Sequence, residues 1–183
     1  QEEGRAYYIP GKHISLNGKW KFKYIPSSRL GADSLFSKPD FPVESWSVIQ
    51  TPGHWELQGF AEPFYGKNLK EGTGLYRTTF SVPQNWEKTP IYLAFDGVQY
   101  GYTLWVNGHC AGSFASSFNR QTFDITPFVV QGTKNTLAVQ VSTRTKGWEF
   151  DTNDCWSLSG IIRDVTLFHL PTTHIKDLTV QTF

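Results

Sequence analysis

The sequence predicts an all-β domain, an antiparallel β-sandwich or jelly roll. Aromatic residues make up 16% of its 183 residues, and Trp, Tyr and Phe are enriched in strands. About nine or ten short segments read as strands separated by Gly, Pro and Asn, a spacing that is typical of sandwiches. Very little of the chain has the period of an amphipathic helix, so the remaining segments are predicted to be loops.

The first half of the chain predicts short strands between long loops. Aromatic residues alternate with lysines over 19–24, which is the pattern of a half-buried strand. Residues 26–44 are rich in Pro, Ser and Asp and predict a loop with one helical turn. A short strand and a Pro-Gly turn follow within 46–60. Residues 61–74 are predicted to form a long loop, and loops of that length in a compact domain are often functional.

The second half is more regular. Asn107 and Gly108 form the dipeptide that favours a tight type I′ hairpin, in which both central residues have positive φ. One helical turn is predicted over 126–130, with Asp124 or Thr126 as its cap and Pro127 at its first position. Strands are predicted at 75–82, 91–97, 101–108, 135–141, 161–170 and 174–183.

Composition excludes several classes of function. The formal net charge of +1 provides no broad cationic field for nucleic acid. No apolar run approaches the roughly 18 residues of a membrane span, so neither nucleic acid nor membrane is expected as a partner. Cys110 and Cys155 are expected to be free thiols, with a single disulfide between them left open. The chain begins with Gln1 and contains no Met, so we expect that an N-terminal segment has been removed.

No catalytic motif is visible in the sequence. It has no G-x-S-x-G elbow, P-loop, H-E-x-x-H helix or Cys-His zinc pattern. Its carboxylates form no evident acid and nucleophile pair, although such a pair can form in space. The histidines do not have the spacing of metal ligands; they are His13, His54, His109, His169 and His174.

Aromatic residues in polar loops are the first positive signal. A flat ring can stack on the apolar face of a sugar, while neighbouring Asp, Asn or Gln side chains bind the hydroxyls. The alternative is that these rings pack against a neighbouring domain or fill the ends of the sandwich. The residues are Trp55, Phe60, Phe64, Tyr65, Trp148 and Trp156.

Asp154 is the strongest single candidate for a ligand contact. It lies in D-T-N-D-C-W, two residues before Trp156. Asp151, Thr152 and Asn153 suit an Asx turn, which is a sufficient structural explanation for Asp151. Two carboxylates within four residues also suit a cation or a hydroxyl-rich ligand.

Several segments together resemble the N-terminal domain of glycoside hydrolase family 2, most closely that of the bacterial β-galactosidases. The similarity runs from about residue 15 to the end, which divides the chain into a lead-in at 1–14 and one domain at 15–183. The most specific part is W-x-x-S-G-I-x-R-D-V. The segments are SLNGKWKF (15–22), TPGHWELQGFAEPFY (51–65), FDGVQYGYTLWVNG (95–108), FDITPFV (123–129) and DCWSLSGIIRDVTLFHLPTTHIKDL (154–178).

The resemblance implies a galactose-binding-domain-like jelly roll, called the sugar-binding domain. In that family an immunoglobulin-like domain and a TIM barrel follow, and the barrel carries both catalytic glutamates of a retaining glycosidase. The chain would then be inactive alone, with the other domains of its parent enzyme and a β-galactoside or other carbohydrate as partners. Two alternatives stay open: an autonomous carbohydrate-binding module, and the same domain of a β-glucuronidase or β-mannosidase. The compartment, periplasm or cytoplasm, is open.

The resemblance also implies site residues. The acid that matches Asp154 hydrogen-bonds a galactose hydroxyl and helps the barrel to bind sodium, and Trp156 would lie beside the substrate. The family's sugar-binding Asn falls at Lys67 without a gap and at Asn68 with a shift of one residue. Ser157 stands where those relatives have Arg. No cofactor is implied for this domain alone, whereas the whole enzyme would use sodium and magnesium. The residues from 159 to 165 would be scaffold, with Ile161 and Ile162 entering the sandwich.

Overall fold

The computed structural model describes residues 12–66, 70–86, 88–145, 148–152, 154–175 and 181. Within these residues there are fourteen strands and one short α-helix, α1 (Trp148–Asp151). The strands are β1 (His13–Ser15), β2 (Gly18–Ile25), β3 (Ser47–Thr51), β4 (Phe64–Tyr65), β5 (Thr73–Ser81), β6 (Ile91–Phe95), β7 (Val98–Gln99), β8 (Gly101–Val106), β9 (His109–Phe114), β10 (Gln121–Asp124), β11 (Lys134–Ser142), β12 (Trp156–Ser157), β13 (Gly160–Ile161) and β14 (Val165–His169).

The strands form two main sheets. One has the order β1-β14-β6-β10 and the other the order β3-β2-β5-β11-β8-β9, and all their pairings are antiparallel. Two-stranded ladders, β12–β4 and β13–β7, lie outside these sheets. The architecture confirms the predicted all-β antiparallel jelly-roll sandwich. The first sheet begins at His13, two residues before the predicted start of the domain.

The main core is built from apolar side chains that alternate with more exposed side chains along the strands. On β2, Trp20 and Phe22 are buried while the lysines between them are more exposed. On β11 the inward residues are Leu137, Val139 and Val141, all completely buried. Because successive side chains point to opposite faces, one period-two pattern serves both the core and the outer surface. The predicted strand at 19–24 is confirmed, extended by one residue at each end.

The segment between β2 and β3 covers the outer face of the larger sheet. Phe36 and Trp46 pack there against Leu75 and Ala138. Arg77, also on this face, donates from its guanidinium to main-chain carbonyl oxygens within 36–39. The predicted loop with one helical turn is present, since a 3₁₀ turn spans Gly31–Leu35.

The predicted hairpin is confirmed. Asn107 and Gly108 join β8 to β9 with φ of 50° and 82°, the positive values that a type I′ turn requires. The Asn107 side chain also donates to the Phe128 carbonyl at 2.8 Å. The predicted helical turn is a shorter 3₁₀ turn, Thr126–Phe128, and Asp124 accepts the Thr126 N–H at 2.9 Å.

One strand prediction and one loop prediction need correction. The predicted strand at 161–170 is divided into β13 and β14, because the N–H groups of Ile162 and Arg163 both donate to the Gly97 carbonyl instead of continuing a ladder. Ile161 is therefore fully buried, whereas Ile162 is only half-buried. The predicted loop at 61–74 contains β4 and the start of β5. Most of the predicted strand at 174–183, residues 176–180, 182 and 183, lies outside the described residues.

Candidate functional site

A two-stranded ribbon brings the predicted acid and loop aromatics together. Strand β4 pairs with β12, and Tyr65 lies opposite Trp156. The Gly66 N–H donates to the Cys155 carbonyl at 3.3 Å. The Ser157 hydroxyl donates to the Gly66 carbonyl at 2.6 Å. Ser157 is thus a buried structural contact that closes the ribbon.

Asp154 is held at the surface by Tyr65. The Tyr65 hydroxyl donates to Asp154 Oδ1 at 2.5 Å across 89 positions of sequence. The Tyr65 and Trp156 rings meet edge to face with centroids 5.6 Å apart, and both side chains are more than half exposed. The bond to the carboxylate raises the pKa of the Tyr65 phenol, and partial desolvation adds to this. We call Tyr65, Asp154 and Trp156 the ribbon site.

Buried main-chain contacts fix the segment that follows the ribbon site. The Ser159 N–H donates to Glu56 Oε2 at 2.8 Å, and the Trp55 N–H donates to the Ser159 carbonyl at 3.0 Å. Burial raises the pKa of Glu56, while the Ser159 N–H acts in the opposite direction. Gly160 has a φ of +130° and leaves no room for a Cβ, which would lie 2.6 Å from the Gly53 oxygen. This segment has a structural role, and Asp154 lies just before it in the chain.

Trp55 follows the packing alternative for the loop aromatics. It is completely buried and packs on Phe22 and Tyr24, with ring centroids 6.0 and 5.7 Å away. Gly74 makes this space, because a Cβ there would lie 2.4 Å from the Trp55 ring. Phe60 is half-buried on Phe22, with centroids 4.7 Å apart. For these two residues the sandwich-end alternative is the correct one.

Other candidate residues near the ribbon site contact different parts of the domain or lie outside the described residues. Trp148 is half-buried, and the Arg144 guanidinium lies 5.7 Å from its ring centroid. The Oδ2 of Asp151 accepts the Ser117 N–H at 3.1 Å and the Ser117 hydroxyl at 2.7 Å, and the Asx turn predicted for Asp151 stays a prediction because it would involve residue 153. Asn68 and Asn153 lie outside the described residues, so the predicted amide contact stays a prediction.

Replacing Asp151 by Ala should lower the free energy of unfolding by about 1–3 kcal/mol, because Ser117 is fully buried and would lose its acceptor. Urea unfolding of the chain measures this. Glu149→Ala on the exposed face of α1 is the matched control, with an expected change within about 0.5 kcal/mol. Equal stability of the two variants would contradict the assignment.

A cavity of about 380 Å³ lies on the other side of β4. Phe64 lines it, whereas Tyr65 belongs to the ribbon site, as expected for consecutive residues of a strand. Tyr24, Glu56 and Lys70 also contribute to its walls. Its aromatic and charged lining would suit a small polar ligand.

The described residues do not form a metal centre by themselves. No group of three or more His, Cys, Asp and Glu side chains in the described ranges could hold an ion, and both Cys110 and Cys155 are free. Asp154 offers one carboxylate, which fits a hard cation whose remaining oxygen ligands come from elsewhere. Among the described helices, none is both long and apolar enough to cross a bilayer.

The comparisons with known proteins agree with the fold. The model of glycosyl hydrolases family 2, sugar binding domain, matches residues 14–171. The chain belongs to this family. It is 33% identical to a β-galactosidase of Priestia megaterium over 91% of the chain and 18% of the relative. It is 37% identical to one of Vibrio vulnificus over 93% of the chain and 17% of the relative. The family domain thus spans less than a fifth of these relatives.

Solved structures of β-glucuronidases have the same architecture. The family domain superposes on a Bacteroides uniformis β-glucuronidase with a TM-score of 0.70 and 28% identity, covering 87% of this chain and 18% of that one. A Ruminococcus gnavus β-glucuronidase gives a TM-score of 0.69 over 88% of this chain and 29% of that one, at 20% identity. The second comparison supports the fold alone.

Proposed function

We propose that the chain is the N-terminal sugar-binding domain of a retaining β-galactosidase. The observation that carries this is Asp154: an exposed carboxylate, fixed by Tyr65, beside an exposed Trp ring and on a rigid scaffold. The β-galactosidase relatives at 33–37% identity support the choice of sugar. In this proposal two glutamates of a separate barrel perform the hydrolysis of terminal β-galactosides. The chain contributes one wall of the substrate pocket.

Asp154 would act by accepting a hydrogen bond from a sugar hydroxyl, while Trp156 covers an apolar face of the ring. Asn68 would add an amide contact. The same carboxylate would supply one oxygen to a sodium ion shared with the barrel, and the ion would polarise or position a bound hydroxyl. Magnesium is assigned to the whole enzyme, outside the described residues.

The proposal predicts that the chain alone does not hydrolyse a chromogenic β-galactoside, whereas the full-length parent does. Both proteins would be assayed at equal molarity, with the chain purified from a host that lacks β-galactosidase. Turnover by the isolated chain would show that it carries its own catalytic groups. A full-length parent that cleaves only a β-glucuronide or a β-mannoside would move the domain to that class of enzyme.

The charge of Asp154 favours a neutral sugar over a glucuronide. A glucuronide carries its own carboxylate, and two like charges in one partly enclosed site repel each other. The solved β-glucuronidases share the fold of this chain at 28% identity or less, below the 33–37% identity of the β-galactosidase relatives. The neutral β-galactoside and β-mannoside lack this repulsion, and the relatives named above favour the galactoside.

A second candidate function is an autonomous carbohydrate-binding module, and the cavity beside Phe64 is the observation that favours it. Calorimetric titration of the chain with millimolar galactose tests it. Heat that is lost in Phe64→Ala but retained in Trp156→Ala would assign binding to the cavity. No heat with the unmodified chain would exclude an independent sugar site of useful affinity.

A further inference from the structure

The geometry points to Tyr65 as the positioning residue of Asp154, an inference that rests on the proposed function. Tyr65 donates to one oxygen of the carboxylate and so fixes which oxygen is left for a ligand. Its role would be to hold the acid in one orientation before the sugar arrives. Tyr65 itself is not required to touch the reacting atoms.

Without a partner, the exposed side chain of Asp154 would have no fixed orientation. An exposed Asp rotates about two side-chain bonds, and ordering it when a ligand binds costs conformational entropy. The 2.5 Å bond to Tyr65 orders Oδ1 in the free protein. Because Oδ1 is engaged by Tyr65, the inference assigns Oδ2 to a sugar hydroxyl or a cation.

Tyr65 is itself fixed from two directions. Its backbone pairs with Trp156 in the β4–β12 ladder, and the Trp156 ring packs against its ring edge to face. The ladder is closed by the Ser157 bond to the Gly66 carbonyl. The main-chain ladder and the Trp156 ring thus fix the position of Tyr65, and the Tyr65 hydroxyl in turn orients the carboxylate of Asp154.

The exposure of this pair argues against a role in folding. Tyr65 is 53% exposed and Trp156 is 55% exposed, and hydrogen bonds between exposed side chains contribute little to stability. The ring of Tyr65 therefore remains at the surface next to an ordered acid. A short bond that stabilises the fold little is better explained by the orientation it gives to Asp154.

The first test is the orientation of the Asp154 carboxylate in the unliganded chain. Crystal structures of the chain and of Tyr65→Phe are compared at this side chain. Because Phe cannot donate to Oδ1, we expect one ordered orientation of the carboxylate in the chain and more than one in Tyr65→Phe.

Glu149→Ala, which removes another exposed carboxylate of the same loop region, should leave the orientation of Asp154 unchanged. A carboxylate that keeps the same single orientation in Tyr65→Phe would overturn the positioning role. This outcome is independent of whether the parent enzyme is a galactosidase.

The second test uses the full-length enzyme. Tyr65→Phe should reduce kcat/KM for a β-galactoside about three- to tenfold, and should have little further effect when Asp154 is already Ala, which has no group for Tyr65 to orient. Multiplicative effects of the two changes would show that Tyr65 acts independently of Asp154 and would overturn the inference. If Asp154→Asn alone left the kinetics unchanged, the proposed function would fail even if Tyr65 orders the carboxylate as expected.

Discussion

Replacing Trp55 by Ala should lower the free energy of unfolding by about 3–5 kcal/mol, the range for removing a buried Trp or Phe side chain. Trp55 has no exposed surface and contacts both Phe22 and Tyr24. Its backbone also donates to the Ser159 carbonyl, so the cavity left behind would adjoin the scaffold that carries Asp154. Urea unfolding followed by circular dichroism measures the change.

Leu57→Ala is the matched control, because Leu57 lies two residues away and is 65% exposed; its effect should stay within about 0.5 kcal/mol. Gly74→Ala tests the packing from the other side, since its Cβ would lie 2.4 Å from the Trp55 ring. It should destabilise the wild type more than it destabilises Trp55→Ala. Similar stability of Trp55→Ala and Leu57→Ala would contradict the buried position of the ring.

The sandwich could be predicted because its signals are local. Alternation over 19–24 and 135–141 follows from the two faces of a strand, and the Asn107-Gly108 turn follows from its need for positive φ. The break between β13 and β14 could not be predicted in this way. It depends on the Gly97 carbonyl accepting two N–H groups from 162 and 163, and a contact that distant leaves no periodic trace in the sequence.

The candidate site was predictable only in part for a similar reason. Asp154 and Trp156 could be selected because they adjoin a specific motif of the family. Tyr65 appeared in the sequence only as one of six loop aromatics, and its bond to Asp154 spans 89 positions. The same six included Trp55, which is buried. A ring beside polar residues looks the same in sequence whether it faces a ligand or fills the end of a sandwich.

Asp154→Asn should leave the folding of this chain nearly unchanged and, if the proposed function holds, reduce the β-galactosidase activity of the full-length protein about ten- to a hundredfold. The folding effect should be within about 0.5 kcal/mol, because the side chain is exposed and the amide oxygen can still accept the Tyr65 hydroxyl. The loss of activity corresponds to one hydrogen bond to a charged acceptor, about 1.5–3 kcal/mol. Unfolding of the chain and kcat/KM of the parent enzyme are the two measurements.

The control distinguishes the charge of Asp154 from charge in this region generally. Glu149→Gln removes an exposed carboxylate from α1 and should alter neither stability nor turnover. If Asp154→Asn unfolded the isolated chain, the carboxylate would be a structural group, and the loss of activity would need no contact with sugar. If stability held while the KM and sodium dependence of the parent both changed, Asp154 would be acting on the ligand and the ion together. That result is expected of a single carboxylate with one oxygen fixed by Tyr65 and the other open to the pocket.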